Sequence, residues 1–106
     1  MENEQREDLL EQIKGNVEML KNTSTKDINI LDVEYQLDQN FNLKEVVLTL
    51  TLGGPNIYLD CMSYTLNGYW GNERVEYPIF KKEGKARSAI DSLLYTYEEQ
   101  FKANIS

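Results

Sequence analysis

The sequence predicts an α+β fold: an antiparallel meander of four to five strands, flanked by an N-terminal and a C-terminal helix packed on one face. Three observations carry this. Apolar residues recur at intervals of three and four near both ends of the chain, the spacing of an amphipathic helix. Between those ends the period drops to two, the spacing of a strand with one buried face. Turn-formers then interrupt the middle of the chain at short intervals: most of the glycines and both prolines fall within residues 53–79. At 106 residues the chain is the size of a single domain, 1–106, with enough surface to bury for one core.

The first helix is predicted from residue 2 to about 20. Leu9, Leu10, Ile13, Val17 and Leu20 form its apolar stripe, and Glu2, Glu4, Glu7 and Asp8 lie in the first turns, where the helix dipole favours anions. Asn22, Thr23, Ser24 and Thr25 end it as a polar linker. In a first strand at 31–38, Leu31, Val33, Tyr35 and Leu37 alternate with Asp32, Glu34, Gln36 and Asp38. Residues 38–42 form a turn of side chains that bond their own backbone. A second strand at 45–52 sets Val46, Leu48, Leu50 and Leu52 against Val47, Thr49 and Thr51. Its β-branched content fits burial on one side and partial cover on the other. These two strands are expected to pair as a hairpin.

Gly53-Gly54-Pro55 breaks the ladder, since glycine permits positive φ and proline removes a donor. A third strand at 56–61 points Ile57, Leu59 and Cys61 one way and Tyr58 and Asp60 the other. Met62-Ser63 turns into a fourth strand at about 64–70, and Gly71-Asn72 turns into a fifth at 73–77. Asn67-Gly68, the usual hairpin dipeptide, is a rival for that last turn; the first placement leaves both strands long enough to pair. Pro78 ends the sheet. After a loop at 81–84, a second helix runs from about 85 to 102 with Ala86, Ile90, Leu93, Leu94, Tyr97 and Phe101 as its stripe. Both helices need apolar surface to cover, and the sheet offers one.

The net charge of −7 sits in the first part of the chain: residues 1–60 carry 12 acids and 5 bases, residues 61–106 carry 6 of each. Direct contact with nucleic acid is therefore not expected, because it needs a basic face. An acidic surface suits a protein partner with a basic surface, or solubility. No apolar run approaches the roughly 20 residues of a membrane span. The N-terminus has no basic segment followed by an apolar one, so no signal peptide and a cytoplasmic location are expected. The single Cys61 reads as a small core hydrophobe in a reducing compartment. Histidine is absent, which removes the commonest general base and metal ligand. Ser63, Ser88 and Ser92 have no partner to activate them, and no Gly-rich loop precedes a helix in the order a phosphate cradle needs. The expectation is no enzyme: no catalytic residue, no metal and no cofactor.

Two surface constellations stand out. Asp32, Glu34 and Asp38, with Gln36 between, alternate along one strand, where residues two apart lie about 6.6 Å from each other. That spacing is comparable to successive phosphates. With Glu4, Glu7, Glu11 and Glu18 of the first helix, the ladder can act as a nucleic-acid mimic in another protein's groove, or it is simply a solvated sheet face. The second constellation is aromatic: Tyr58, Tyr64, Tyr69, Trp70 and Tyr77. Tyr58 and Tyr69 are the ones expected outward, as interface anchors. Asp60 is flanked by aromatic and apolar residues, which points to a raised pKa or to a hydrogen bond with the nearby turn. The predicted partner-binding set is thus Asp32, Glu34, Asp38, Tyr58, Asp60 and Tyr69. A basic group at Arg74, Lys81, Lys82, Lys85 and Arg87 is interrupted by Glu73, Glu76 and Glu83 and makes a poorer groove.

The block LTLGGPNIYLD followed by NGYWGNERVEYPI resembles a loose group of small proteins from bacterial phages and mobile elements. The matching positions are Gly53, Gly54, Pro55, Asn56, Ile57, Asp60, Gly68, Tyr69, Trp70 and Gly71. They are structural in character and speak to fold and origin. Small acidic phage proteins include many inhibitors of host defence, anti-CRISPR proteins among them. The resemblance therefore implies a non-catalytic inhibitor that binds a host nucleic-acid-processing complex, such as a CRISPR–Cas effector, through its acidic and aromatic surface. Two alternatives are a ligand-binding or enzymatic domain with a pocket near residues 53–60 and Trp70, and a structural module forming a homo-oligomer through a sheet edge.

Overall fold

The structure is a computed structural model that describes residues 2–105. Its elements are α1 (Glu2–Asn22), a single 3-10 turn (Thr25–Asp27), β1 (Asp32–Leu37), β2 (Leu43–Thr51), β3 (Asn56–Asp60), β4 (Thr65–Trp70), β5 (Glu73–Pro78) and α2 (Gly84–Ile105). The strands pair in chain order, every neighbour antiparallel. This is the α+β meander with terminal helices.

Period decides which residues meet. The three-and-four spacing of α1 buries Leu9, Ile13, Val17 and Leu20, and that of α2 buries Ala86, Ala89, Ile90 and Leu93. The two-residue period of the strands contributes Val46, Leu48 and Leu50, then Ile57 and Leu59, then Leu66 and Val75, to the same core. α1 lies over β4 and β5, α2 over β2, and the helices touch each other. At the β1 edge, the Tyr35 hydroxyl donates to the Tyr97 carbonyl at 2.9 Å and its ring tilts against Phe101 with centroids 4.9 Å apart. Both helices thus occupy one face of the sheet.

Asn67-Gly68 is not a turn. Gly68 sits in mid-strand, opposite Ile57 on one side and Val75 on the other. A Cβ there would come within 2.8 Å of both Leu9 Cδ1 and Ile13 Cδ1, so the glycine is what lets α1 lie directly on β4. The β4–β5 reversal uses Gly71-Asn72, with Gly71 at φ +59°, the positive angle that a type II′ hairpin needs at its first loop position.

Three predicted details change. β1 ends at Leu37, after a register shift between Gln36 and Leu37. Asp38 falls outside the strand and caps the hairpin loop, its Oδ1 accepting from the N–H groups of Asn40 (2.8 Å) and Asn42 (3.0 Å). Leu31 and Leu37 lie exposed at the strand ends, not in the core, and Leu52 is exposed beyond the end of β2.

Candidate functional site

The side chains that alternate away from the core form the other face of the sheet, which neither helix covers. Register lines them up across the strands. One row runs Asp32, Thr49, Tyr58, Asn67, Glu76; the next runs Glu34, Val47, Asp60, Thr65, Pro78. Gln36 opposite Glu45, and Tyr69 opposite Arg74, extend the face at its two ends. Neighbouring strands stand about 4.8 Å apart, so each row is a set of touching side chains. Val47, Thr49 and Asn67 are each buried to more than nine-tenths, shielded by the taller side chains around them. The result is an open depression of about 530 Å³ lined in part by Glu34, Tyr58, Asp60, Asn67, Tyr69 and Arg74.

Its polar groups are unevenly satisfied. Asn67 Nδ2 donates to Asp60 Oδ2 at 2.9 Å. The other amide atom, Asn67 Oδ1, is buried with no hydrogen-bond partner. Burial pushes the Asp60 carboxyl above its ordinary value, and the carboxylates of Glu45, Glu76 and Glu34 add to the effect; only the bond from Asn67 opposes it. The rings of Tyr58 and Tyr69 meet edge to face, centroids 5.8 Å apart at 67°. Arg74 lies with its guanidinium carbon 5.7 Å from the Tyr69 centroid and pairs with Glu76 at 2.8 Å.

Of the six residues predicted to bind a partner, five share this face: Asp32, Glu34, Tyr58, Asp60 and Tyr69. Asp38 does not join the ladder. Its carboxylate belongs to the hairpin loop, and the backbone N–H groups of Asn42 and Asn40 hold it below the usual carboxylate range. The acids of α1 are also separate, because α1 packs on the opposite face. Trp70 points to that helical face and packs against the core, so it takes no part in the depression. Tyr77 likewise joins the core, while the Tyr64 hydroxyl donates to Asp91 and its ring carries the Arg87 guanidinium carbon at 3.9 Å.

Sequence reasoning missed Glu45, Asn67, Arg74 and Glu76 as parts of the face. Asn67 falls in the predicted fourth strand, but the sequence singles it out only as a rival turn with Gly68, not as an outward side chain of the face. Glu45 gave no signal, since its role is long-range: its carboxylate accepts from the N–H groups of Met62 (2.7 Å) and Ser63 (3.2 Å) and fixes the β3–β4 turn.

Chemically, the depression can accept hydrogen bonds and hold positive charge. Cys61 is fully buried, and burial, with Glu45 and Asp60 nearby, pushes its thiol up to about 12. Among the described residues, no three His, Cys, Asp or Glu converge to hold a metal ion, and no helix is long and apolar enough to cross a membrane. Comparison with protein-family models, curated proteins and solved structures finds no match to this chain.

Proposed function

We propose that the chain is a non-catalytic binding protein that inhibits a nucleic-acid-processing complex by docking the open face of its sheet on a basic surface of that complex. One observation carries the reading. An entire face of a five-stranded sheet is left uncovered by the helices, and among the described residues its cross-strand rows carry Asp32, Glu34, Glu45, Asp60 and Glu76 beside Arg74. Asp32 and Glu34 hold no ion pair among the described residues, so their charge is available to a partner. Carboxylates in register across strands, with Tyr58 and Tyr69 between them, supply both charge and rigid aromatic anchors. The resemblance of the block at 53–71 to phage proteins bears on origin, and small acidic phage proteins include many inhibitors of host defence, which makes CRISPR–Cas effectors the leading partner class.

The test is inhibition of DNA cleavage by a panel of purified CRISPR–Cas effectors, with the wild-type chain and with Asp32→Lys/Glu34→Lys. Both positions are exposed, so the double variant should keep its fold by circular dichroism and its melting temperature to within a few degrees, as surface substitutions do. Loss of inhibition with the fold intact supports the reading. Equal potency of the two proteins refutes the acidic face as the working surface.

A further inference from the structure

We propose that the Asp60–Asn67 pair, walled by Tyr58 and Tyr69, is a subsite for an arginine side chain of the partner protein. The inference rests on the open face being the partner surface and names what that face recognises. Asn67 is only 8% exposed. Its Nδ2 is committed to Asp60 Oδ2, and an ionised carboxylate can only accept. That bond fixes the orientation of the amide, so the atom left without a partner is an oxygen acceptor. Beside it stands a carboxylate whose charge is disfavoured by burial and by three like charges. A buried acceptor with no donor and a crowded carboxylate are both costs to the fold. A single ligand relieves both: a cation that carries several N–H donors.

Guanidinium has that chemistry. Its donors lie in a planar fork, so one can reach the Asp60 carboxylate while another meets Asn67 Oδ1, and its face stacks on aromatic rings. Tyr58 is the register partner of Asn67 and supplies the ring, with Tyr69 edge-on beside it. An ammonium offers charge but no stacking plane and is more strongly hydrated. The protein's own Arg74 displays the same preference for Tyr69 but is not the occupant. Glu76 holds it at 2.8 Å, and with Arg74 in place Asn67 Oδ1 is still unmet.

The experiment titrates ¹⁵N-labelled protein with an arginine-rich peptide, a matched lysine peptide and free arginine, following the Asn67 side-chain amide by NMR and affinity by calorimetry. The arginine peptide should bind about tenfold tighter than the lysine peptide, equivalent to one well-made hydrogen bond, and should move the Asn67 signal. Asn67→Leu should remove that advantage while leaving lysine-peptide affinity within about twofold. If Asn67→Leu does not fold, Asp60→Asn serves, since it keeps a side-chain partner for Asn67 and removes the charge. Equal affinities with an unmoved Asn67 amide overturn the subsite and leave the open-face reading standing. Free arginine binding as tightly as the peptide overturns the assignment to a protein partner. Absence of binding by all three probes also overturns the subsite, and the Asp32→Lys/Glu34→Lys inhibition assay then decides the open-face reading separately.

Discussion

Ile57 and Leu59 on β3 face the helices and are fully buried among apolar neighbours. One residue along the same strand in either direction, Tyr58 and Asp60 face the other way, half-buried among carboxylates and an amide. The helical face of the sheet is closed by Leu9, Ile13 and Ile90; the open face is closed only by its own side chains. On the first face, packing is tight enough that Gly68 has no room for a methyl group. On the second, an acceptor is left unmet and acids are set side by side. Such costs persist where function requires them and disappear where only stability counts. That contrast is why the proposed docking is assigned to the open face.

Substitutions on the two faces test that contrast, and the largest effect belongs to the helical face. Leu59→Ala should destabilise the protein by about 2–5 kcal/mol, whereas Glu34→Ala on the open face should stay within about 0.5 kcal/mol. Urea denaturation of both variants measures the difference, and comparable losses would erase the distinction between the faces. Next comes Gly68→Ala. Its methyl group must displace Leu9 and Ile13, which predicts a loss of about 1–3 kcal/mol and a melting temperature lower by roughly 4–8 °C per kcal/mol. A neutral result would mean that α1 is not seated on β4 as described.

The smallest effect is a pH dependence on the open face. Folding raises the Asp60 pKa above its ordinary 3.8, so the folded state holds this proton more tightly than the unfolded chain. Its contribution to stability is greatest below the unfolded value and is lost as pH rises through the folded one. Asp38 acts in the opposite sense: its folded pKa is lowered, so its contribution is present above the ordinary value and lost as pH falls. The difference between wild type and Asp60→Asn isolates the first group. Asp60→Asn should be the more stable protein near neutral pH, by less than about 1 kcal/mol, with the advantage vanishing as acid protonates the wild-type carboxyl. A constant difference across the pH range would show that Asp60 is not perturbed by its surroundings.

Both helices, all five strands and most of their inward residues were legible in the sequence, because period and turn chemistry are local properties; Leu31, Leu37 and Leu52, at strand ends, are the exceptions. The alternation of β3 alone sorted Tyr58 and Asp60 from Ile57 and Leu59. Partnerships across the sheet were less visible. Asn67-Gly68 carries a hairpin signature, and only the close approach of Leu9 and Ile13 shows why glycine stands there. Asp38 continues the acid alternation in sequence, but the register shift at Gln36 and Leu37 removes it from the face. Spacing and composition alone suffice for the elements, their order, most of the apolar stripes and the acidic balance. The folded arrangement is needed to see that the acids of α1 and β1 lie on opposite sides of the sheet, that Glu45 fixes a distant turn, and that Asn67 is buried beside Asp60 with one acceptor free. Those facts depend on register and on which face the helices choose, and both are settled by contacts between residues far apart in the chain.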